Sequence, residues 1–300
     1  MPSNEAAAAE TQVLMTGLAF GESPRWHEGR LWVCNWGAGE IVAADSLGRS
    51  EVMLEVATTL PFSIDWLADG RLLVVSGREA RLLRQEPDGS LVTHADLTGL
   101  CRICNEIVVD GRGSLYVNGG GLEAAADGGF PPGVIVRVGL DGAARQVAKD
   151  IAFPNGMAVT PDNATLIVAE SHGRRLTAFD IAPDGGLANR RVWADLGEGT
   201  PDGICIDAEG AVWYADVPNR CCARVREGGE RLQTVALDRG GFACMLGGPD
   251  GRTLFAVAAE WHGMDKMFGM PRTGQVLTVR APAAGAGWPA RGQGGVALQG

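Results

Sequence analysis

The stretch "GTPDGICIDAEGAVWYAD", residues 199–216, sets a turn dipeptide ahead of two short apolar runs. Asp202-Gly203 reads as punctuation, because Asp-Gly is a common turn former. It also reads as a carboxylate held at the mouth of a strand. One copy leaves both readings open. The same grammar recurs six times: a polar residue, an apolar strand, an Asp/Gly turn, a second apolar strand. The copies are "ESPRWHEGRLWVCN", "SIDWLADGRLLVVSG", "NEIVVDGRGSLYVNG", "NGMAVTPDNATLIVAES", "DGICIDAEGAVWYAD" and "CMLGGPDGRTLFAVAA". They start at Glu22, Ser63, Asn105, Asn155, Asp202 and Cys244, spaced 41, 42, 50, 47 and 42 residues apart.

A third strand follows in most copies and often closes on another Asp-Gly, as in "RLLRQEPDG" at 81–89 and "VIVRVGLDG" at 134–142. A fourth, more polar strand leads to the next copy, as in "SLVTHADL" at 90–97. Four strands every 40–50 residues is the period of a β-propeller blade. The alternation of apolar and polar residues has period 2, not 3.6, which excludes helical solenoids. The expectation is an all-β, six-bladed β-propeller with four antiparallel strands per blade, in one domain over 1–300. "TQVLMTGL" at 11–18 precedes the first copy, where the last strand of a preceding blade belongs. This N-terminal strand is expected to close the last blade, with residues 1–11 as a disordered tail.

The bulk numbers narrow the function. Net charge is −10 and no Lys/Arg cluster could track a phosphate backbone, so nucleic-acid binding is not expected. No apolar run is long enough for a membrane helix. The N-terminus lacks the basic region and apolar core of a secretory signal. Seven cysteines, an odd number in a large chain, favour reduced thiols and a cytoplasmic protein. Cys101-x-x-Cys104 lacks a well-spaced second pair, since Cys221-Cys222 are adjacent, so structural zinc is not expected.

In a propeller the first strand of each blade lines the central channel. The six leading residues should then form a ring at one end. Four of them, Glu22, Asn105, Asn155 and Asp202, bear amide or carboxylate oxygens. Two acids across a narrow channel repel unless neutralised. An oxygen-only set suits one divalent cation: Ca2+ first, with Mg2+, Mn2+ or Zn2+ as alternatives.

"ESPRW", "NEIVVDGRG", "FPNGMAVTPD", "PDGICIDAEGAVWYAD" and "FACMLGGPDGRTLF" together resemble the motifs of the senescence-marker-protein/gluconolactonase/regucalcin family. The similarity spans nearly the whole chain. It implies a six-bladed propeller with one catalytic divalent metal in the channel. It also implies hydrolysis of lactones, or of organophosphates in some members. By position, the resemblance makes Glu22, Asn155 and Asp202 metal ligands, and Asn105 a ligand or substrate contact. It gives Asp202 a second role as general base, with direct nucleophilic attack by Asp202 as the alternative. An acidic residue follows the asparagine in some members, and Glu106 stands there, an expected substrate contact together with Arg102 and Glu123. Sugar-lactonase members often place an arginine two residues before that asparagine. Here Arg102 stands three before it, a departure that weighs against a sugar-acid substrate.

The residues ending each second strand, Trp36, Asn118, His172, Asp216 and Trp261, should rim the same face, and Trp36, Asn118, His172 and Trp261 are expected substrate contacts. Two long loops, 119–133 and 260–274, belong to this face, the first with Glu123 and the second with Trp261, Met264, Met267, Phe268 and Met270. Long loops in compact folds often wall a binding site. The only histidines are His27, His94, His172 and His262, and no nucleophile-elbow pattern exists, so a Ser-His-Asp hydrolase is not expected. The expected function is a metal-dependent lactonase acting on a small molecule, as a monomer or weak homodimer. The alternatives are another reaction on the same metal, such as organophosphate hydrolysis, dehydration or cyclisation, and a non-enzymatic calcium-binding propeller.

Overall fold

The computed structural model describes residues 10–57, 60–124, 129–263 and 272–287. Its strands run in six four-stranded antiparallel sheets. Blade 1 is β2–β5, at Gly21–His27, Arg30–Asn35, Glu40–Ala44 and Ser50–Glu55. Blade 2 is β6–β9, at Ile64–Trp66, Leu72–Ser76, Arg81–Gln85 and Leu91–Asp96. Blade 3 is β10–β13, at Ile103–Val109, Leu115–Gly120, Gly133–Val138 and Ala144–Ile151. Blade 4 is β14–β17, at Pro154–Val159, Thr165–Glu170, Arg175–Ile181 and Leu187–Asp195. Blade 5 is β18–β21, at Pro201–Ile206, Val212–Asp216, Cys221–Val225 and Arg231–Ala236. Blade 6 is β22–β24, at Gly240–Gly247, Thr253–Ala259 and Gly274–Arg280, completed by β1 at Gln12–Leu18.

β1 pairs antiparallel with β24, with Gln12 opposite Thr278 and Leu18 opposite Gly274. The ring is thus closed by hydrogen bonds between the two ends of the chain, as its repeat requires. Each first strand packs against those of its two neighbours around the channel. Period-2 alternation gives every blade two apolar faces. Separate buried clusters fill the interfaces. Leu73, Val75 and Leu82 of blade 2 meet Ile107, Leu115 and Val117 of blade 3. Met15 and Leu18 of β1 meet Leu31 and Val33 of blade 1. The fourth strands are more exposed, which is why they read as polar.

All seven cysteines are buried and unpaired. Cys244 leaves the expected ring. Its side chain packs with Cys205, Cys222 and Leu246 between blades 5 and 6, and its thiol lies 3.6 Å from the Gly203 carbonyl. Residues 1–9, which include most of the expected tail, lie outside the described residues, as do Met264, Met267, Phe268 and Met270. Among the described residues no helix is long and apolar enough to cross a membrane.

Candidate functional site

Glu22, Asn105, Asn155 and Asp202 sit near the starts of β2, β10, β14 and β18, at one mouth of the channel. In each of these strands the pairing with the second strand shifts register at that point: between Glu22 and Arg25, Cys104 and Ile107, Pro154 and Met157, and Pro201 and Ile204. Such a bulge frees a residue from the ladder and re-aims its side chain. The glycines after Asn155 and Asp202 have a different reason from the turn chemistry expected. Neither has a positive φ. A Cβ on Gly203 would lie 2.5 Å from the Cβ of Ala243, and one on Gly156 would lie 2.5 Å from the Ile204 nitrogen. Glycine is required there because three neighbouring first strands approach too closely for a side chain.

A chain of hydrogen bonds ties the ring together. Asn105 Nδ2 donates to the Pro154 carbonyl at 3.4 Å, and Asn155 Nδ2 to Ser171 Oγ at 3.4 Å. Ser171 Oγ donates in turn to the Pro201 carbonyl at 2.7 Å. Both ring asparagines therefore engage through their N–H groups, which suits Oδ1 as the atom that meets a cation.

The acids are poorly compensated. Burial pushes the Glu22 carboxyl well above its usual range, and the charges of Asp202 and Glu106 push it further. Burial and then the charge of Glu106 raise Asp202 likewise, while the Asn155 amide partly offsets them. Asp202 Oδ1 is buried without any hydrogen-bond partner. Such an orphaned oxygen is costly unless a proton or cation meets it.

Glu106 is differently placed. Its Oε1 accepts from Arg25 Nη2 at 3.0 Å, Ser23 Oγ at 3.1 Å and the Ile107 N–H at 3.0 Å. Arg25 also donates to the Ile107 carbonyl at 2.7 Å. The structure therefore ties Glu106 into a buried ion pair beneath the ring. Glu22, Asp202, Glu106 and Asp65 outnumber the one arginine among them, so acid is in excess. Among the described residues, no group of three or more His, Cys, Asp or Glu side chains is arranged to hold a metal. The ring combines two carboxylates with amide oxygens, the hard-donor chemistry of Ca2+, and it fits such an ion.

The expected substrate contacts divide. Asn118 is fully buried: its Oδ1 accepts from the Glu106 N–H, and its Nδ2 donates to the Asn155 carbonyl at 2.6 Å. It braces the ring. Asp216 is buried too, accepting from the Thr200 N–H and from Asn219. Arg102, Glu123 and His172 are exposed, Trp36 is half-buried, and Trp261 is 38% exposed. The sequence reading missed Arg25 and Phe153. Arg25 stood in the quoted "ESPRW", but its partner is 81 residues away.

The family description "SMP-30/Gluconolactonase/LRE-like region" matches residues 20–260. The chain belongs to this family. Among its relatives is a pentonolactonase of Haloferax volcanii, 25% identical over 262 residues, covering 84% of this chain and 86% of that protein. Two solved structures share the family fold with it. A luciferin-regenerating enzyme has a TM-score of 0.77 at 20% identity, covering 94% of this chain and 99% of its own. The regucalcin of Agrobacterium tumefaciens, titled a calcium-binding protein, has a TM-score of 0.74 at 23% identity, covering 94% and 97%.

Proposed function

We propose that the chain hydrolyses lactones with one divalent cation, Ca2+ by donor chemistry, held by Glu22, Asn105, Asn155 and Asp202. The observation that carries the reading is buried Glu22 beside part-buried Asp202, whose Oδ1 is buried and unpartnered, among amide oxygens at a channel mouth. Support also comes from the pentonolactonase relative and from the calcium-binding regucalcin that shares the fold. When bound, such a cation polarises an ester carbonyl and lowers the pKa of nearby water. Asp202, ionised at neutral pH once a cation offsets its repulsion by Glu106 and Glu22, accepts the proton lost by the attacking water. It returns that proton to the ring oxygen as the acyl–oxygen bond breaks, which leaves a hydroxy acid. Direct attack by Asp202 would give an acyl-enzyme instead, and labelled solvent oxygen entering Asp202 in a single turnover would reveal it.

The test combines elemental analysis, melting with and without chelator, and a lactone panel at fixed Ca2+, Mn2+ and Zn2+. The expected result is a bound divalent ion, a melting temperature that falls on chelation, and turnover that returns with metal. Turnover unaffected by complete chelation overturns the reading.

A further inference from the structure

Beside the ring of candidate oxygen donors lies an aromatic cluster in which Phe20 and Phe242 are buried and Trp36 and Trp261 reach the surface. Phe20 immediately precedes β2. It stacks on Trp36 at 5.7 Å and meets Phe242 edge-on at 4.6 Å. Trp261 extends this wall, 5.5 Å from Phe242 and 38% exposed. The wall touches the site through Phe242, whose carbonyl oxygen lies 3.3 Å from the place a Gly203 Cβ would take.

A second wall rises from blades 3 and 4. Phe130 and Phe153 are 4.3 Å apart, and His172 lies 4.5 Å from Phe153 at an interplanar angle of 32°. Phe130 and Phe153 are half-buried and His172 is exposed, so the stack is not core packing. Phe153 stands two residues before Asn155 and has a φ of +60°. A left-handed backbone is rare and costly for a bulky residue and is often found where a ligand is met. His172 follows Ser171, the hydroxyl that links Asn155 to the Pro201 carbonyl.

Asn118 and Asp216 near the mouth are engaged by the protein itself, while Ser63 Oγ is buried without a partner and Arg102 and Glu123 are exposed. Asn118 uses both ends of its amide, and Asp216 accepts from Thr200 and Asn219. Ile103 at the start of β10 packs against Gly120, putting an apolar side chain two residues before Asn105. A polyhydroxylated lactone would lose water from its hydroxyls and find few replacements, which is costly. An apolar ring would bury aromatic surface on both sides.

We infer that the two walls select lactones bearing an aromatic or other flat apolar group over polyhydroxylated sugar lactones. This rests on the lactonase reading and names its substrate class. Trp261 and the Phe130–Phe153–His172 stack are the specificity-determining residues.

The test measures kcat/KM on the metal-loaded protein for three δ-lactones with aliphatic leaving oxygens: 3-isochromanone, which is benzo-fused, unsubstituted δ-valerolactone, and glucono-δ-lactone. Each rate is normalised to the spontaneous rate. The expected preference for 3-isochromanone over glucono-δ-lactone is at least about tenfold. Trp261→Ala and Phe130→Ala should each cost about tenfold on 3-isochromanone, mainly in KM, and leave δ-valerolactone within about twofold. A purely structural role would lower both alike and overturns the inference, as does equal or better turnover of the sugar lactone. Binding of two unhydrolysed lactams, one benzo-fused and one a gluconolactam, is measured by calorimetry. If no lactone is turned over but the benzo-fused lactam binds and Trp261→Ala weakens it, the lactonase reading falls and the walls stand. Equal binding of the two lactams overturns the walls.

Discussion

The two mouths of the central channel are made from opposite ends of the same six first strands, and they differ in how charge is matched. At the starts of β2, β14 and β18, Glu22, Asn155 and Asp202 face one another with an excess of acid and an orphaned carboxylate oxygen. At the other ends lies a cavity of about 370 Å3 with mostly apolar lining that includes Met157, Ile206, Leu246 and Trp66. His27 stacks on Trp66 there at 4.0 Å. Arg25 reaches that cavity and also pairs with Glu106, so it separates the two environments. The difference teaches that room alone does not mark a reactive site. The roomy mouth holds Asp110, whose Oδ2 also lacks a partner. What sets the acidic mouth apart is two carboxyls, both raised by burial and by neighbouring acids, and the proposed chemistry is placed there.

The largest expected effect removes both mouths together. Deleting residues 1–18 strips β1 from β24 and exposes Met15 and Leu18 partners in blade 1. The melting temperature should fall by more than about 10 °C, and unchanged melting by calorimetry would break the closure.

At the acidic mouth, Asp202→Ala should cut kcat/KM by about 10²–10⁴-fold and abolish the stabilisation by added cation. Full activity in this variant would dissolve the contrast between the mouths. Between them, Arg25→Met leaves Glu106 buried and unpaired, at a cost of about 3–5 kcal/mol in denaturant unfolding. Adding Glu106→Gln should recover part of that loss; if it recovers none, the pair does not separate the two environments. Gly203→Ala forces β18 and β22 apart and should cost about 1–3 kcal/mol, with lowered activity because Asp202 is its neighbour.

The smallest effect is a pH slope. Asp65, buried in β6, has its pKa raised to about 7, by burial first, with the charge of Glu106 adding and Arg25 opposing. The folded state therefore holds this proton more tightly than the unfolded chain. The contribution is fully present below about pH 4, the unfolded carboxylate value, and is lost as pH rises towards 7. In metal-free protein, Asp65→Asn should flatten that part of the stability profile. An unchanged profile would remove Asp65 from the account of the channel.

Much of this was legible because the repeat repeats. The positions of Glu22, Asn105, Asn155 and Asp202 in six aligned copies foretold their common mouth, and the spare strand before Glu22 foretold closure. Cys244 occupied the same register and nevertheless turned into the core, because the shift in β22 falls at Gly241 and Ala243. Glu106 and Asn118 were read as substrate contacts. They proved to be braces, since the partners that claim them lie on other strands and other blades. Gly203 was read through its own dipeptide, while its reason was Ala243 on the next blade.

The sequence by itself determined the strand period, the number of blades and which oxygen-bearing side chains share one register, because these follow from alternation and spacing along one chain. Only the tertiary structure decided which donors are left without partners. Compensation of charge and hydrogen bonding is settled by neighbours some 40–80 residues away, such as Pro154 for Asn105 and Glu106 for Arg25. Asp202 is a strand residue whose glycine makes room for a neighbouring blade and whose Oδ1 oxygen is left unmet.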